Sequence, residues 1–110
     1  MAEITDEYML EMRKKTQPYT FVILHKTPKA NESGADKIIW EHGRRNHQMR
    51  RDGVLRIALP VRDDSNVAGI MVFSKNIDET KKIMDEDPGV KAGIFVYEIH
   101  ITRSFPGDAL

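Results

Sequence analysis

Cysteine is absent from this chain of 110 residues, and so is an excess of charge of one sign. Without cysteine there is no disulfide framework and no thiolate nucleophile, so a reducing, cytoplasmic location is the expectation. Seventeen Lys and Arg balance seventeen Asp and Glu. That balance is unlike the basic surface of a nucleic-acid-binding domain or an acidic tail, and we expect no nucleic-acid partner.

Long apolar runs are also missing from the sequence. No stretch approaches the 18 or so apolar residues of a membrane span, and no signal-peptide core follows Met1, so we expect no membrane partner. The chain is 40% apolar, 31% charged and only 7% aromatic. This composition and length are typical of a single globular domain with one modest core.

Proline, glycine and cap residues divide the chain into an N-terminal helical extension, residues 1–17, and one domain, residues 18–110. The extension predicts a helix over Thr5–Lys15, because its acidic start and basic end complement the helix dipole. In the domain, Ser33 and Asp36 predict a capping box, and Asn76 with Glu79 predicts a second helix start. The predicted elements are a strand Tyr19–His25, a helix Ser33–Arg51, strands Val54–Pro60 and Val67–Ser74, a helix from Asn76 that ends before Pro88, and a strand Gly93–Thr102.

The order strand, helix, strand, strand, helix, strand predicts an α+β fold. A central hairpin with one right-handed crossover on each side closes into a four-stranded antiparallel sheet with both helices on one face. This is the ferredoxin-like βαββαβ arrangement.

The predicted strands are apolar on both faces, although two helices can cover only one face. In the first strand, Phe21 and Ile23 oppose Val22 and Leu24. We therefore expect a homodimer packed sheet to sheet, leaving room for a higher oligomer. The alternative is that the N-terminal helix covers the open face within one chain.

One histidine and one aspartate fall on the apolar stripes of the two helices. His42 lies three and four residues after Ile39 and Ile38, and Asp87 lies four residues after Ile83. The topology brings these positions together, and a carboxylate beside an imidazole fixes the ring tautomer and leaves the other nitrogen for proton transfer. The alternative interpretation is a structural pair that fills the core.

Other chemistry has little support in the sequence. The four histidines show no metal-ligand spacing, the glycines form no phosphate loop and no serine lies in a nucleophile elbow, so we expect no metal and no cofactor. Four arginines make the first domain helix basic: Arg44, Arg45, Arg50 and Arg51. They either attract an anionic substrate or form an ordinary solvated face.

The sequence resembles the YCII-related family. The resemblance rests on His42, Gly53-Val54-Leu55, Ala58-Leu59-Pro60 and the run Asp85–Gly93, and it spans about residues 19 to 105. It implies a dimeric α+β barrel in which His42 and Asp87 form a suspected catalytic dyad beside a pocket.

The same pocket is expected to bind substrate through Arg45, Met49, Leu59, Pro60 and Pro88. Two positions depart from the family pattern. Leu59 replaces a usual glycine and is expected to narrow the pocket mouth. Gly89 replaces a usual aromatic residue and is expected to remove an aromatic wall.

The sequence therefore predicts a small cofactor-free lyase or isomerase. His42 would move a proton on a cyclic or enolisable small molecule, and Asp87 would orient His42. Acid–base catalysis supplies only about 10² to 10⁴-fold, so the substrate must already be activated. The alternative is a non-catalytic binding or accessory module that uses the same pocket.

Overall fold

The computed structural model describes residues 3–110 and confirms the ferredoxin-like α+β fold. Four strands pair antiparallel in the order β2-β3-β1-β4. The elements are α1 (Asp6–Lys14), β1 (Gln17–Lys26), a 3₁₀ turn (Pro28–Asn31), α2 (Ala35–Arg51), β2 (Leu55–Pro60), β3 (Val67–Phe73), α3 (Ile77–Asp85), α4 (Pro88–Lys91) and β4 (Phe95–Ser104).

Two of the predicted helix starts are capped by side chains. Thr5 Oγ1 accepts a hydrogen bond from the Tyr8 amide at 3.1 Å, and Asn76 Oδ1 accepts one from the Glu79 amide at 2.8 Å. Each bond satisfies an amide that has no partner inside its own helix.

The predicted capping box at Ser33 is wrong. The residue before α2 is Gly34, which has a φ of +88° and makes no side-chain cap. The left-handed turn at Gly34 displaces Ser33 from the capping position, and the Ala35 amide donates instead to the Glu32 carbonyl at 3.2 Å. Glycine adopts this conformation without a steric penalty.

The core lies between the helices and one face of the sheet. The largest apolar side chains that are fully buried there are Phe73, Leu55, Met84 and Val22. The Thr20 hydroxyl donates to the Lys75 carbonyl at 2.7 Å and ties β1 to the start of α3. This packed layer holds α2 and α4 against the sheet and fixes the position of the site described below.

The other face of the sheet is largely apolar and half-buried within one chain. It carries Phe21 and Ile23 from β1 and Ile70 and Val72 from β3. The expectation that β4 is apolar on both faces is wrong, because on the open face of the sheet every residue of this edge strand after Val96 is polar.

The polar residues of β4 form a small cluster with β1. Glu98 Oε1 lies 2.6 Å from His25 Nε2, and Glu98 Oε2 lies 3.3 Å from His100 Nε2. The hydrogen bonds from His25 and then His100 hold the pKa of Glu98 below its usual value. The His100 ring also stacks on Phe21, with centroids 5.1 Å apart.

The N-terminal helix α1 does not cover this face. None of its residues is buried, and Tyr8, Met9 and Leu10 are each more than half exposed. The alternative in which α1 closes the sheet within one chain is therefore wrong. Among residues 3–110, no helix has the length and apolar character needed to cross a membrane.

Candidate active site

His42 and Asp87 are in direct contact. His42 Nδ1 lies 2.6 Å from Asp87 Oδ1, and the two side chains are 12% and 1% exposed. An ionised carboxylate only accepts hydrogen bonds, so Nδ1 carries the ring proton and donates a hydrogen bond to Asp87. The neutral ring consequently has its lone pair on Nε2.

Asp87 reaches this position by capping a helix that the sequence analysis did not predict. It lies beyond α3 rather than on its stripe, and it is the N-cap of the one-turn helix α4. Its Oδ2 accepts hydrogen bonds from the Gly89 amide at 2.9 Å and the Val90 amide at 3.1 Å. The carboxylate is therefore held on one side by two backbone donors and presents its other oxygen to His42.

The second nitrogen of His42 faces Asn46, one turn further along α2. Asn46 Nδ2 lies 3.2 Å from His42 Nε2 and donates to its lone pair, whereas Asn46 Oδ1 is buried without a partner among the described residues. A substrate proton that reaches Nε2 must displace this amide. Asn46 thus occupies the place where proton transfer would occur.

Arg45, predicted to bind substrate, is beside the dyad and does not line the cleft. Its Nη1 lies 3.7 Å from Asp87 Oδ1, with the side chain 25% exposed. Nη1 is buried and makes no hydrogen bond with any described residue. At this distance the cation stabilises the buried carboxylate of Asp87.

A cleft of about 460 Å³ opens beside the dyad between α2 and the sheet. His42 and Asn46 line it, and its walls are otherwise mostly apolar. The apolar lining residues include Leu24, Ile39, Ala58, Leu59, Pro60, Met71 and Phe95. The volume is that of an ordinary small-molecule site, and the apolar walls suit a ring or a short hydrocarbon.

Two of the five predicted binding residues line the cleft, Leu59 and Pro60. The other three do not line it: Arg45, Met49 and Pro88. Met49 shares its helix face with Arg45 and packs against the core. Pro88 begins α4 directly after Asp87. His47 lies at the exposed edge of the cleft.

The aromatic wall expected to be missing at Gly89 is supplied by Phe95. The Phe95 ring lies 5.0 Å from the His42 ring, centroid to centroid, and lines the cleft. A Cβ at Gly89 would overlap the Phe95 ring and stand 3.1 Å from Asp87 Oδ2. Glycine at this position and phenylalanine on β4 are therefore two parts of one packing arrangement.

Sequence reasoning missed Asn46, Lys26 and Phe95 as site residues. The signal for Asn46 was present, since Ile39, Gly43, Asn46 and Arg50 repeat at helical spacing and form a row adjacent to the core stripe. No local signal identifies Phe95, because it joins the site through strand pairing. In the described part of the chain, no three His, Asp or Glu side chains are arranged to hold a metal ion.

Comparison with known proteins gives a fold and no family. No family model matches the chain, and no curated protein matches its sequence. Among solved structures it is similar to the 5-chloro-2-hydroxyhydroquinone dehydrochlorinase of Burkholderia phenoliruptrix AC1100, in complex with 2,5-dihydroxybenzoquinone. The similarity has a TM-score of 0.51 at 15% identity and covers 81% of this chain and 95% of that chain. At this identity the likeness shows the shared fold alone.

Proposed function

We propose that this chain is a small cofactor-free lyase or isomerase of the YCII-related kind, in which His42 transfers a proton on an activated cyclic or enolisable substrate. The observation that carries the proposal is the 2.6 Å contact between His42 Nδ1 and Asp87 Oδ1 at the wall of an apolar cleft. Because Asp87 holds the proton on Nδ1, Nε2 is the base on the cleft side.

The proposed reaction needs no oxidant or reductant. His42 Nε2 takes a proton from a C–H or O–H of the substrate, and Asp87 stabilises the imidazolium that forms. In a lyase reaction the electron pair of the broken bond expels a leaving group as an anion, and in an isomerase reaction the proton returns at another carbon. The dehydrochlorinase likeness makes elimination from a hydroxylated ring the first reaction to test.

The test measures deuterium uptake from D₂O into ring C–H positions of hydroxylated quinones and hydroquinones, starting with 2,5-dihydroxybenzoquinone. Wild type is compared with His42→Gln and with Asp85→Asn, a matched control at an exposed carboxylate that bonds Tyr97 and not the dyad. We expect exchange in wild type and in the control, and its loss without His42.

The second candidate is a binding module without chemistry. It is favoured by one observation: both nitrogens of His42 already have partners inside the protein, Asp87 and Asn46. A structural histidine has this arrangement. A ligand of the cleft that is recovered unchanged and undeuterated after long incubation would favour this function.

We also propose that two copies pack through their open sheet faces. The apolar strip of Ile23, Ile70 and Val72 is left uncovered by α1, and the Glu98 carboxylate on the same face is already paired with histidines of its own chain. A second copy of this largely apolar face is therefore a better partner than a charged surface.

A cytoplasmic location stays a prediction.

Sedimentation tests the dimer. Wild type is expected at twice 12.6 kDa, and Ile23→Lys is expected to sediment as a monomer. The control is Ile101→Lys on the opposite side of the sheet, at a side chain already 68% exposed, which is expected to remain a dimer. A monomeric wild type at micromolar concentration would contradict the proposal.

A further inference from the structure

The permanent charges that line the cleft beside the dyad, Lys26 and Arg50, are both positive, although the chain as a whole is neutral. The ionisable lining residues of the cleft are Lys26, His42, His47 and Arg50, and no Asp or Glu of the described residues lines it. A concave site with low-dielectric walls and charges of one sign concentrates ligands of the opposite sign. Positive potential is therefore built into the cleft and not into the protein generally.

Arg50 lies at the exposed end of the cleft, away from the dyad. His42, Asn46 and Arg50 are four residues apart on one face of α2, so the helix rise places Arg50 about 12 Å along the axis from His42. The row runs from the nearly buried His42 to the exposed Arg50. Lys26 reaches the same cleft from the end of β1, where it pairs with Phe95.

The other arginines of α2 already have carboxylate neighbours. Arg44 Nε lies 3.1 Å from Glu41, Arg51 Nε lies 3.6 Å from Asp52, and Arg45 faces Asp87. Among residues 3–110, neither Lys26 nor Arg50 has a carboxylate within 4.0 Å, so both charges are available to a ligand.

Lys26 has one acidic neighbour at longer range. The pKa of Asp63 is lowered, mainly by hydrogen bonds from Ser65 and to the smallest extent by the charge of Lys26. Arg50 therefore provides the less committed charge, and its planar guanidinium can bind a carboxylate or phosphate through two parallel hydrogen bonds.

We propose that the cleft mouth is an anion site and that the substrate carries a carboxylate or phosphate. Arg50 binds the anionic group and Lys26 adds positive charge to the same cleft, while the apolar body of the substrate lies along Leu24, Ala58 and Met71 toward His42. This inference rests on the proposed function in one respect only, namely that the ligand is a substrate. The anion site itself is independent of any chemistry at His42.

The test uses two probes of nearly equal shape, naphthalene-2-carboxylate and naphthalene-2-carboxamide. Binding is followed through the backbone amide signals of residues 43–50 in ¹⁵N–¹H spectra, which also report whether each variant is folded. The variants are Arg50→Gln and Lys26→Gln. The matched control is Arg51→Gln, which removes the same charge from the next residue of the helix outside the cleft.

We expect the carboxylate to bind about tenfold more tightly than the carboxamide at low salt, since a hydrogen bond to a charged group at a partly exposed site is of this size. Arg50→Gln is expected to remove most of that preference, Lys26→Gln to reduce it, and Arg51→Gln to leave it unchanged. Raising the salt concentration should weaken carboxylate binding alone.

Three outcomes would overturn the proposal: equal affinity for the two probes, equal effects of Arg50→Gln and Arg51→Gln, or no carboxylate binding at millimolar concentration. His42→Gln separates this proposal from the proposed function. A His42→Gln protein that still prefers the carboxylate supports the anion site even if no deuterium exchange is ever found. Exchange by wild type without any preference for anions would support the function and remove the anion site.

Discussion

Replacing Asp87 by Asn and by Ala separates the two tasks of this carboxylate. One oxygen caps α4 through the Gly89 and Val90 amides, and the other accepts from His42 Nδ1. Ala removes both tasks. Asn keeps the cap, because its carbonyl oxygen can accept from the same amides, and it presents an NH₂ group to His42.

The stability changes follow from these contacts. Asp87→Ala loses a helix cap, about 1 kcal/mol, and leaves a nearly buried imidazole and the Arg45 Nη1 group without their carboxylate, about 1–3 kcal/mol. We expect the free energy of unfolding to fall by about 2–4 kcal/mol in Asp87→Ala. For Asp87→Asn we expect about 1 kcal/mol, since Asn caps helices as well as Asp does.

The tautomer of His42 should change in Asp87→Asn. The NH₂ group of Asn is a donor, so Nδ1 must become an acceptor, and the ring proton moves to Nε2. Nε2 then has no lone pair for the substrate. Proton exchange by this variant is expected to fall as far as that of His42→Gln, although the protein is folded.

The assays are urea denaturation for stability and long-range ¹⁵N–¹H correlation of the His42 ring for the tautomer. Asp85→Asn, two residues earlier, is the control, and it should leave the His42 signals unchanged. The reasoning is refuted if Asp87→Asn is as destabilised as Asp87→Ala, because the cap would then not be preserved. It is also refuted if the ring of Asp87→Asn keeps its proton on Nδ1.

Three further predictions concern packing and titration. Gly89→Ala should destabilise the fold by about 1–3 kcal/mol through overlap with Phe95, and adding Phe95→Leu should recover part of that loss in a double-mutant cycle. Burial, followed by the hydrogen bond to a neighbouring carboxylate, raises the pKa of Tyr97 to about 12. The stability that this group contributes is complete below pH 10 and is lost as the pH rises through 12. One tyrosine should therefore ionise late in an ultraviolet titration, and Tyr97→Phe should remove that step. Because the pKa of Glu98 is lowered from its ordinary value of 4.5, this group stabilises the fold above pH 4.5, and that stability is lost as the pH falls through the lowered pKa. In denaturation series from pH 3 to 7, the free energy of unfolding should therefore fall less on acidification in Glu98→Gln than in wild type.

The element order and the sheet topology could be predicted because local punctuation and strand length suffice for them. Gly53 follows the end of α2, Asn76 starts α3, and α3 ends before Pro88. The contact between His42 and Asp87 was also predicted, but through an incorrect stripe argument. The local signal for Asp87 was the pair Asp87-Pro88, since an acidic N-cap before proline at the first helical position is a common helix start.

What the sequence could not indicate depends on contacts between distant segments. Phe95 joins the site through β4, and it replaces the aromatic wall that Gly89 lacks. Lys26 reaches the cleft because β1 is longer than its apolar run. Arg45 and Met49 do not line the cleft because the cleft row of α2 is rotated about 100° from the core row, a shift of one residue in the helix.

The central claim is that His42 moves a proton at the cleft. Deuterium exchange into the ring positions of 2,5-dihydroxybenzoquinone, or of a related ring that the cleft binds, tests it most directly. The account predicts that His42→Gln exchanges about 10² to 10⁴ times more slowly than wild type, with Asp85→Asn unchanged. A His42→Gln protein that exchanges within twofold of wild type would contradict it.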